Sequence, residues 1–284
     1  MASKEESRMS AVEEGQPKNG YTNLEDDHTK PASGVSPLTR ECLAEFFGTF
    51  VMMCFGLGVN SQVVVSGLGN GIYLSINICW GIAVMMGIHV AGGVSGAHLN
   101  PAVSFALAVF KRFPAYKFLP YVAAQMLGSF CAAVCIYVLN YQNYNVFDPE
   151  RTKTGNLWGT LPNPNVNTFA QMYTEFFATA MLMVGVFCLG DSANKPASGT
   201  GVPVHFMYLI WGIGMAFGWN TGYAINPARD FAPRLFTWMA GWGSAVFTKG
   251  PYYFWIPIVM PMIGGVFGGG LYKVFIENHH PKQN

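Results

Sequence analysis

Two identical Asn-Pro-Ala tripeptides, at residues 100–102 and 226–228, carry the most specific chemistry in this sequence. Asparagine is a favoured N-cap of a helix, and proline fits the first helical position without losing a hydrogen bond. Once the asparagine oxygen accepts from free helix N–H groups, its NH2 group is left as a donor. Each tripeptide therefore predicts a helix start that offers a donor and a positive dipole end to a neutral, oxygen-bearing molecule. The six residues are Asn100, Pro101, Ala102, Asn226, Pro227 and Ala228.

The composition of the 284-residue chain indicates a membrane protein. Only 11% of its residues are charged and 51% are hydrophobic, whereas a soluble domain carries about 25% charged residues. The net charge is +1 and no run of Lys or Arg occurs, so we expect no nucleic-acid partner. Six apolar runs approach the length of a membrane span. They cover about residues 43–65, 73–92, 118–139, 169–190, 204–221 and 252–276.

The apolar runs form two halves that repeat each other. The segment AEFFGTF (44–50) opens the first run and TEFFATA (174–180) opens the fourth, and each precedes one Asn-Pro-Ala tripeptide. After each tripeptide about ten residues remain for a helix, or about 15 Å, which is half of a bilayer core. Three spans per half turn the second half upside down. The sequence therefore predicts an all-α membrane protein with six transmembrane helices and two re-entrant half-helices in two inverted repeats, residues 41–139 and 169–276.

The two ends of the chain are predicted to be cytoplasmic tails. Residues 1–40 are polar, mixed in charge and poor in apolar residues, so we expect a disordered segment. Basic residues are more numerous before the first span and in the connections on the same side, and the positive-inside rule then places both termini in the cytoplasm. The channel domain would cover residues 41–276, and residues 277–284 would form a short C-terminal tail.

Two half-helices that enter from opposite sides would bring Asn100 and Asn226 together near the middle of the membrane. Arg229 directly follows the second tripeptide, and an arginine inside a membrane is costly unless it faces a wet cavity or a partner. Its guanidinium group is a rigid fork of donors that can hold two hydroxyl groups. One tripeptide alone could equally cap a surface helix, and Arg229 alone could extend to the outer surface. The symmetric pair favours a pore for a neutral permeant.

On these motifs the chain resembles the aquaporin superfamily, and in particular its aquaglyceroporin branch. The stretches VSGAHLNPAV, GYAINPARDFAPRLF and AGWGSAVF are the most specific, and the resemblance covers about residues 41–276. Tyr137, Arg234 and the Pro257–Ile258 pair also resemble the glycerol-conducting branch. The resemblance implies the aquaporin fold and a homotetramer with one pore per subunit.

The resemblance also implies a selectivity filter made by Trp80, Gly214, Tyr223 and Arg229. Two aromatic faces would contact the carbon backbone of a polyol while Arg229 binds its hydroxyl groups. Relatives that pass only water tend to have histidine at the place of Gly214, so glycine would leave room for a larger solute. Asp230, next to the filter arginine, again resembles the glycerol-conducting branch.

Further residues are expected to shape the pore or to support it. Glu45 and Glu175 would accept hydrogen bonds from re-entrant backbone that lipid cannot satisfy. Asp230 would bind polar groups of its own loop, and His98 would line the cytoplasmic vestibule. The predicted pore-lining carbonyl or vestibule positions are Gly96, Ala97, His98, Ala224 and Ile225.

The sequence thus predicts a passive channel for glycerol and water, and for other small neutral solutes such as urea, that excludes protons and ions. Two alternatives stay open: a water-selective aquaporin, and a non-conducting membrane tetramer that acts in adhesion or scaffolding. We expect no enzyme, because no nucleophile–base pair, metal cluster or phosphate-binding loop is evident, and we expect no cofactor or metal. The expected partners are the permeants, the lipid bilayer and further copies of the chain, and the expected location is the plasma membrane, crossed several times.

Overall fold

The computed structural model describes residues 34–281, and every regular element in that range is helical. Residues 1–33 and 282–284 lie outside the described range, so the predicted disorder of the N-terminal segment stays a prediction. The α-helices are α1 Pro37–Val65, α2 Tyr73–Ser95, α3 Pro101–Val109, α4 Phe118–Phe147, α5 Thr168–Leu189, α6 Val202–Phe217, α7 Pro227–Thr237, α8 Ala245–Tyr252 and α9 Ile256–Phe275.

Within the described residues, five helical stretches are long and apolar enough to cross a membrane. The fifth predicted span forms the shorter apolar helix α6, with 16 residues rather than a run to residue 221. Thr221 lies beyond the end of this helix, where its hydroxyl donates to the carboxylate of Glu175. Helix α4 is longer than the predicted span, since it continues to Phe147 and buries Tyr144 in its last turns.

Two short helices, α3 and α7, begin at the prolines of the tripeptides and have 9 and 11 residues. At a rise of about 1.5 Å per residue each covers about half of a bilayer core. Asn100 Oδ1 accepts from the N–H of Ala102 at 2.8 Å, and Asn226 Oδ1 accepts from the N–H groups of Ala228 at 3.0 Å and Arg229 at 3.2 Å. These N-caps confirm the predicted half-helices.

The two halves of the chain pack in the same way. In the first half α1 packs against α2 and α4, and in the second half α5 packs against α6 and α9. Each half-helix also contacts the last long helix of the other half, because α3 contacts α9 and α7 contacts α4. Inverted repeats produce this exchange when their half-helices enter from opposite sides, and it holds the two halves together.

Close crossings between long helices depend on glycine in both halves. A side chain at Gly128 of α4 would clash with the carbonyl of Phe46 in α1, and one at Gly264 of α9 would clash with the carbonyl of Phe176 in α5. The two phenylalanines hold the same place in the repeated Glu-Phe-Phe motifs, so the halves share one backbone contact. Small residues allow helices to approach this closely in lipid.

The N-terminal boundary of the fold differs from the prediction. Helix α1 begins at Pro37, so residues 37–40 are helical and the predicted tail boundary at residue 40 is wrong. The reason is an N-cap: Ser36 Oγ accepts from the N–H of Thr39 at 3.2 Å, and proline at the first helical position supports the start.

The described part of the C-terminal segment packs against the ends of the long helices. Glu277 binds Arg112 at 2.6 Å, and His280 binds Asp191 at 2.6 Å. Burial acts to raise the pKa of Asp191, but hydrogen bonds from His280 and Tyr272 and from the backbone outweigh it and hold that pKa below its usual value. The segment that follows α9 is therefore attached to two connections on the same side of the bundle.

The glycine contacts lead to a test of the fold. Gly264→Val should place a branched side chain against the carbonyl of Phe176, where the backbone cannot yield without separating α5 from α9. We expect a lower unfolding temperature in detergent and less monodisperse protein on size-exclusion chromatography. The matched control is Gly270→Val on the same helix, where the nearest atom to a new Cβ is Phe110 Cζ at 3.8 Å. Equal losses in the two variants would contradict the close crossing.

Candidate functional site

A buried carboxylate in the first half holds the loop that leads to α3. Glu45 of α1 is fully buried and accepts from the N–H groups of His98 and Leu99, both at 2.8 Å. Ser95 Oγ at 2.6 Å and Gln125 Nε2 at 2.8 Å donate to the same carboxylate. The side chain thus satisfies backbone groups that lipid could not.

Glu175 holds the loop that leads to α7 in the second half, as Glu45 holds the loop of the first half. It accepts from the N–H groups of Ala224 at 3.0 Å and Ile225 at 2.8 Å, and from the hydroxyl of Thr221 at 2.7 Å. Three donors are therefore equivalent in the two halves. The fourth donor differs: the hydroxyl of Tyr253 donates to Glu175 at 3.3 Å, whereas the side-chain amide of Gln125 donates to Glu45.

Both loops have the same unusual backbone. The φ angles of Ala97 and Leu99 are 50° and 53°, and those of Tyr223 and Ile225 are 39° and 45°. Left-handed conformations are uncommon for residues with a side chain and persist where the surroundings enforce them. Here the buried carboxylates bind the amides within each loop, and the strained residues lie directly before the two asparagines.

The two asparagines bind each other's loops. Asn100 Nδ2 donates to the carbonyl of Ile225 and Asn226 Nδ2 donates to the carbonyl of Leu99, both at 2.9 Å. One N–H of each NH2 group is used in this way, so the other stays available for a bound molecule. The structure thus brings Asn100 and Asn226 together, and the crossed bonds are a feature that the sequence did not predict.

The asparagines line a cavity that also contains three of the predicted filter residues. Arg229 Cζ lies 4.4 Å from the centre of the Trp80 ring, and Arg229 Nη1 donates to the carbonyl of Trp158 at 2.9 Å. Apolar side chains of α2, α5 and α6 complete the wall. The predicted residues on this cavity are Trp80, Ala97, His98, Asn100, Tyr223, Ala224, Ile225, Asn226 and Arg229, and the apolar wall includes Val84, Ile88, Val186, Phe206 and Ile210.

Gly214, predicted to widen the filter, is not among the residues that line this cavity. A Cβ at residue 214 would lie 2.6 Å from Tyr223 Cζ, so the glycine makes room for the tyrosine side chain and not directly for a solute. Gly96 also lies off the cavity, and the prolines and alanines of the tripeptides are buried behind the asparagines. These residues support the site without lining it.

Asp230 holds the segment that positions Arg229. Its Oδ2 accepts from the N–H and the hydroxyl of Thr160 at 2.6 and 2.8 Å, and its Oδ1 accepts from Nε and Nη2 of Arg234 at 2.9 and 2.7 Å. Because Trp158 stands two residues before Thr160, this network places the carbonyl that accepts from Arg229. The expectation that Asp230 binds its own loop was therefore too narrow, since Asp230 joins α7 to the segment after α4.

The segment after α4 is folded by a carboxylate at its start. Asp148 accepts from the N–H groups of Thr152, Lys153 and Thr154, each at 2.9 Å, and from the hydroxyl of Thr154 at 2.7 Å. Burial acts to raise the pKa of Asp148, but these hydrogen bonds outweigh it and keep that pKa below its usual value. The carboxylate thus stays ionised and holds the chain that continues to Trp158.

His98 contributes an imidazole to the other end of the cavity. Its Nδ1 lies 3.0 Å from Ser104 Oγ, and its ring packs against the rings of Phe113 and Tyr121 with centroid separations of 4.6 and 5.1 Å. The side chain is buried and lines the cavity, and its place in a cytoplasmic vestibule stays a prediction. Between residues 34 and 281, no group of three or more His, Cys, Asp or Glu side chains could hold a metal ion.

Sequence reasoning missed several residues that build the site. Ser95 and Thr221 had a detectable signal, because each precedes a glycine and stands five residues before an Asn-Pro-Ala asparagine. Asn60 had none: it accepts from Trp80 Nε1 at 3.2 Å and donates to the carbonyl of Leu157 at 2.9 Å. It thereby holds Trp80 against a segment that is distant in the sequence.

The comparisons with known proteins agree with this geometry. The family model described as Major intrinsic protein matches residues 33–272. The chain belongs to the major intrinsic protein family. Aquaporin-10 of Milnesium tardigradum is 42% identical over 265 residues, and Aquaglyceroporin-9 of Botryotinia fuckeliana is 45% identical over 253 residues. The X-ray structure of the aquaglyceroporin from Plasmodium falciparum superposes with a TM-score of 0.78 at 33% identity, covering 84% of this chain and 97% of that chain.

The matched region covers most of this chain but a smaller share of the two curated relatives. The two curated matches cover 87% and 86% of this chain, whereas the chain spans 65% and 55% of the lengths of those relatives. The predicted major intrinsic protein fold is confirmed by the structural neighbour and by the paired half-helices. The roles of individual residues in conduction stay predictions.

The network around Asp230 leads to a test by paired substitutions. Asp230→Asn leaves the fully buried Arg234 without its carboxylate, which should lower the free energy of unfolding by about 3–5 kcal/mol. Asp230→Asn combined with Arg234→Met removes both charges and keeps an amide oxygen that can accept from Thr160, so it should recover most of that loss. Thermal unfolding of the purified variants in detergent measures both effects. A double variant that is less stable than Asp230→Asn would show that the ion pair does not dominate.

Proposed function

We propose that this chain is a passive membrane channel for glycerol and water. The observation that carries the proposal is a single cavity lined by the guanidinium of Arg229, the Trp80 ring beside it, and the two asparagines. The names of a fungal relative and of the structural neighbour, both aquaglyceroporins, support the same function.

The chemistry of the cavity matches a polyol, which has hydroxyl groups along one edge and C–H groups along the other. The guanidinium of Arg229 presents a fork of donors to neighbouring hydroxyl oxygens. The rings of Trp80 and Tyr223 offer apolar surface to the carbon backbone. The apolar wall of α2 and α6 continues that surface along the cavity. Further along, the free N–H groups of Asn100 and Asn226 can donate to a hydroxyl oxygen of the same solute.

The same groups would exclude protons and cations. The two half-helices place their positive N-terminal ends at the asparagines, and Arg229 adds a charge. A water molecule whose oxygen accepts from both asparagines has no free lone pair with which to receive a proton from its neighbour. Neutral solutes such as urea meet none of these barriers.

We further propose that the protein is a homotetramer in the plasma membrane, with one pore per subunit and both termini in the cytoplasm. The orientation rests on the basic residues on the side of the termini. Large apolar side chains are exposed along the long helices, which suits contact with lipid or with further copies of the chain. Examples are Leu43, Phe47, Leu139, Phe169, Tyr208 and Met215.

Proteoliposomes with the purified full-length protein test the function. Stopped-flow light scattering should show glycerol and water permeabilities well above those of empty liposomes, while a pH-sensitive dye inside the vesicles reports no added proton leak. Water flux without glycerol flux would indicate a water-selective channel, and no flux of either would indicate a scaffold. A proton current through the wild-type protein would contradict the proposed exclusion.

The position of Gly214 gives a second prediction about selectivity. Gly214→His alone should reduce both fluxes, because its Cβ would collide with the Tyr223 ring and with the amide oxygen of Asn77. Gly214→His combined with Tyr223→Ala frees that space, and the imidazole should then narrow the pore so that water is favoured over glycerol. The glycerol-to-water permeability ratio checks this. A single variant that conducts like the wild type would contradict the packing of Tyr223 on Gly214.

A further inference from the structure

Two buried polar atoms behind the filter have no hydrogen-bond partner among the described residues, namely Asn77 Oδ1 and the hydroxyl of Tyr223. Asn77 lies on α2, three residues before Trp80, and is fully buried, while Tyr223 is 6% exposed. Both atoms lie less than 3.0 Å from the point where a Cβ of residue 214 would stand. The two atoms therefore lie close together beside a glycine, but they form no hydrogen bond with each other in this structure.

The neighbouring donors are already used. Asn77 Nδ2 donates to the carbonyl of Tyr73 at 2.9 Å, and the hydroxyl of Tyr73 donates to the carbonyl of Gly214 at 3.2 Å. The amide oxygen of Asn77 thus needs a donor, and the phenol O–H of Tyr223 is a donor without an acceptor. Because unpaired buried polar groups are rare in native proteins, this complementary pair calls for a partner on each side.

We propose that a small rotation of the Tyr223 side chain lets its hydroxyl donate to Asn77 Oδ1, and that Asn77 is a positioning residue which sets how far the filter ring projects into the cavity. This inference rests on the proposed function, because its main measurement is the passage of a polyol.

The surroundings of the Tyr223 ring explain why one hydrogen bond decides its position. The ring lies along α6, where a Cβ at Gly214 would be 2.6 Å from its Cζ and a Cβ at Gly218 would be 2.7 Å from its Cδ1. A wall of two glycines gives the ring no side chain to interlock with. The bond to Asn77 then holds the ring against this wall, and without it the ring can turn into the cavity. Glycerol, being wider than water, is hindered more by that movement.

Two substitutions remove the two partners separately. Tyr223→Phe removes the donor and keeps the ring, and Asn77→Leu removes the acceptor with a side chain of similar size. We expect each variant to lower the glycerol-to-water permeability ratio in proteoliposomes by about fivefold, the weight of one hydrogen bond. The double variant should show no further decrease, since the second substitution has nothing left to break. Additive effects would overturn the pairing.

Asn140→Leu is the matched control. Asn140 lies in α4 and its Nδ2 donates to the carbonyl of Ile136, four residues earlier, at 3.1 Å, as Asn77 does to Tyr73. The control therefore loses the same local bond away from the filter, and its permeability ratio should equal that of the wild type. An equal fall in the Asn140 and Asn77 variants would assign the effect to helix stability and overturn the proposal.

Infrared spectroscopy tests the pair independently of conduction. In protein with ring-13C tyrosine, Asn77→Leu should shift a phenol C–O band relative to the wild type, and the shift should vanish in the Tyr223→Phe background. If the wild type passes no glycerol, the proposed function fails while this band still reports on the bond. An unchanged band would overturn the pairing even in a protein that conducts glycerol.

Discussion

Backbone that enters a bilayer outside a helix must find its hydrogen-bond partners within the protein, and the rest of this structure depends on how that requirement is met. Glu45 and Glu175 each bind two consecutive backbone amides and one hydroxyl in the loop before a half-helix. These bonds permit left-handed residues directly before each asparagine. Each glutamate stands one residue before the phenylalanine whose carbonyl makes the glycine-dependent crossing, of α1 with α4 or of α5 with α9. The loops are therefore anchored next to the closest helix contacts of the bundle.

The side chains that line the cavity are held in place by residues that do not line it. Arg229 donates to the carbonyl of Trp158, which is placed by Asp230 and Thr160, while the Trp80 indole is held by Asn60. The site is therefore built in several layers: side chains that line the cavity, backbone or amide groups that orient those side chains, and a buried charge that fixes the orienting groups. Substitutions in the outer layers can therefore alter the shape of the cavity without changing a residue that lines it.

Much of this fold could be predicted from the sequence because its motifs occur twice. Low charge, six apolar runs and two copies of Glu-Phe-Phe followed by Asn-Pro-Ala predicted the inverted repeats, because each signal is local or recurs at a similar interval. The early end of α6, the role of Gly214 behind Tyr223 and the bridge made by Asn60 were not predictable. They arise from contacts between segments far apart in the chain, as with Asn60 and Leu157, 97 residues apart, and neither partner carries a distinctive motif.

The crossed asparagine bonds have a consequence for how the protein is made. Each carboxylate clamp lies within one half, but the amide of Asn100 bonds to a carbonyl 125 residues later in the chain. During synthesis the first half can insert its long helices and close its own clamp, yet the tip of its re-entrant loop has no acceptor until the second half has been translated and inserted. Completion of the two loops is therefore a single joint event late in biogenesis, and the cavity between the two asparagines is not complete before it.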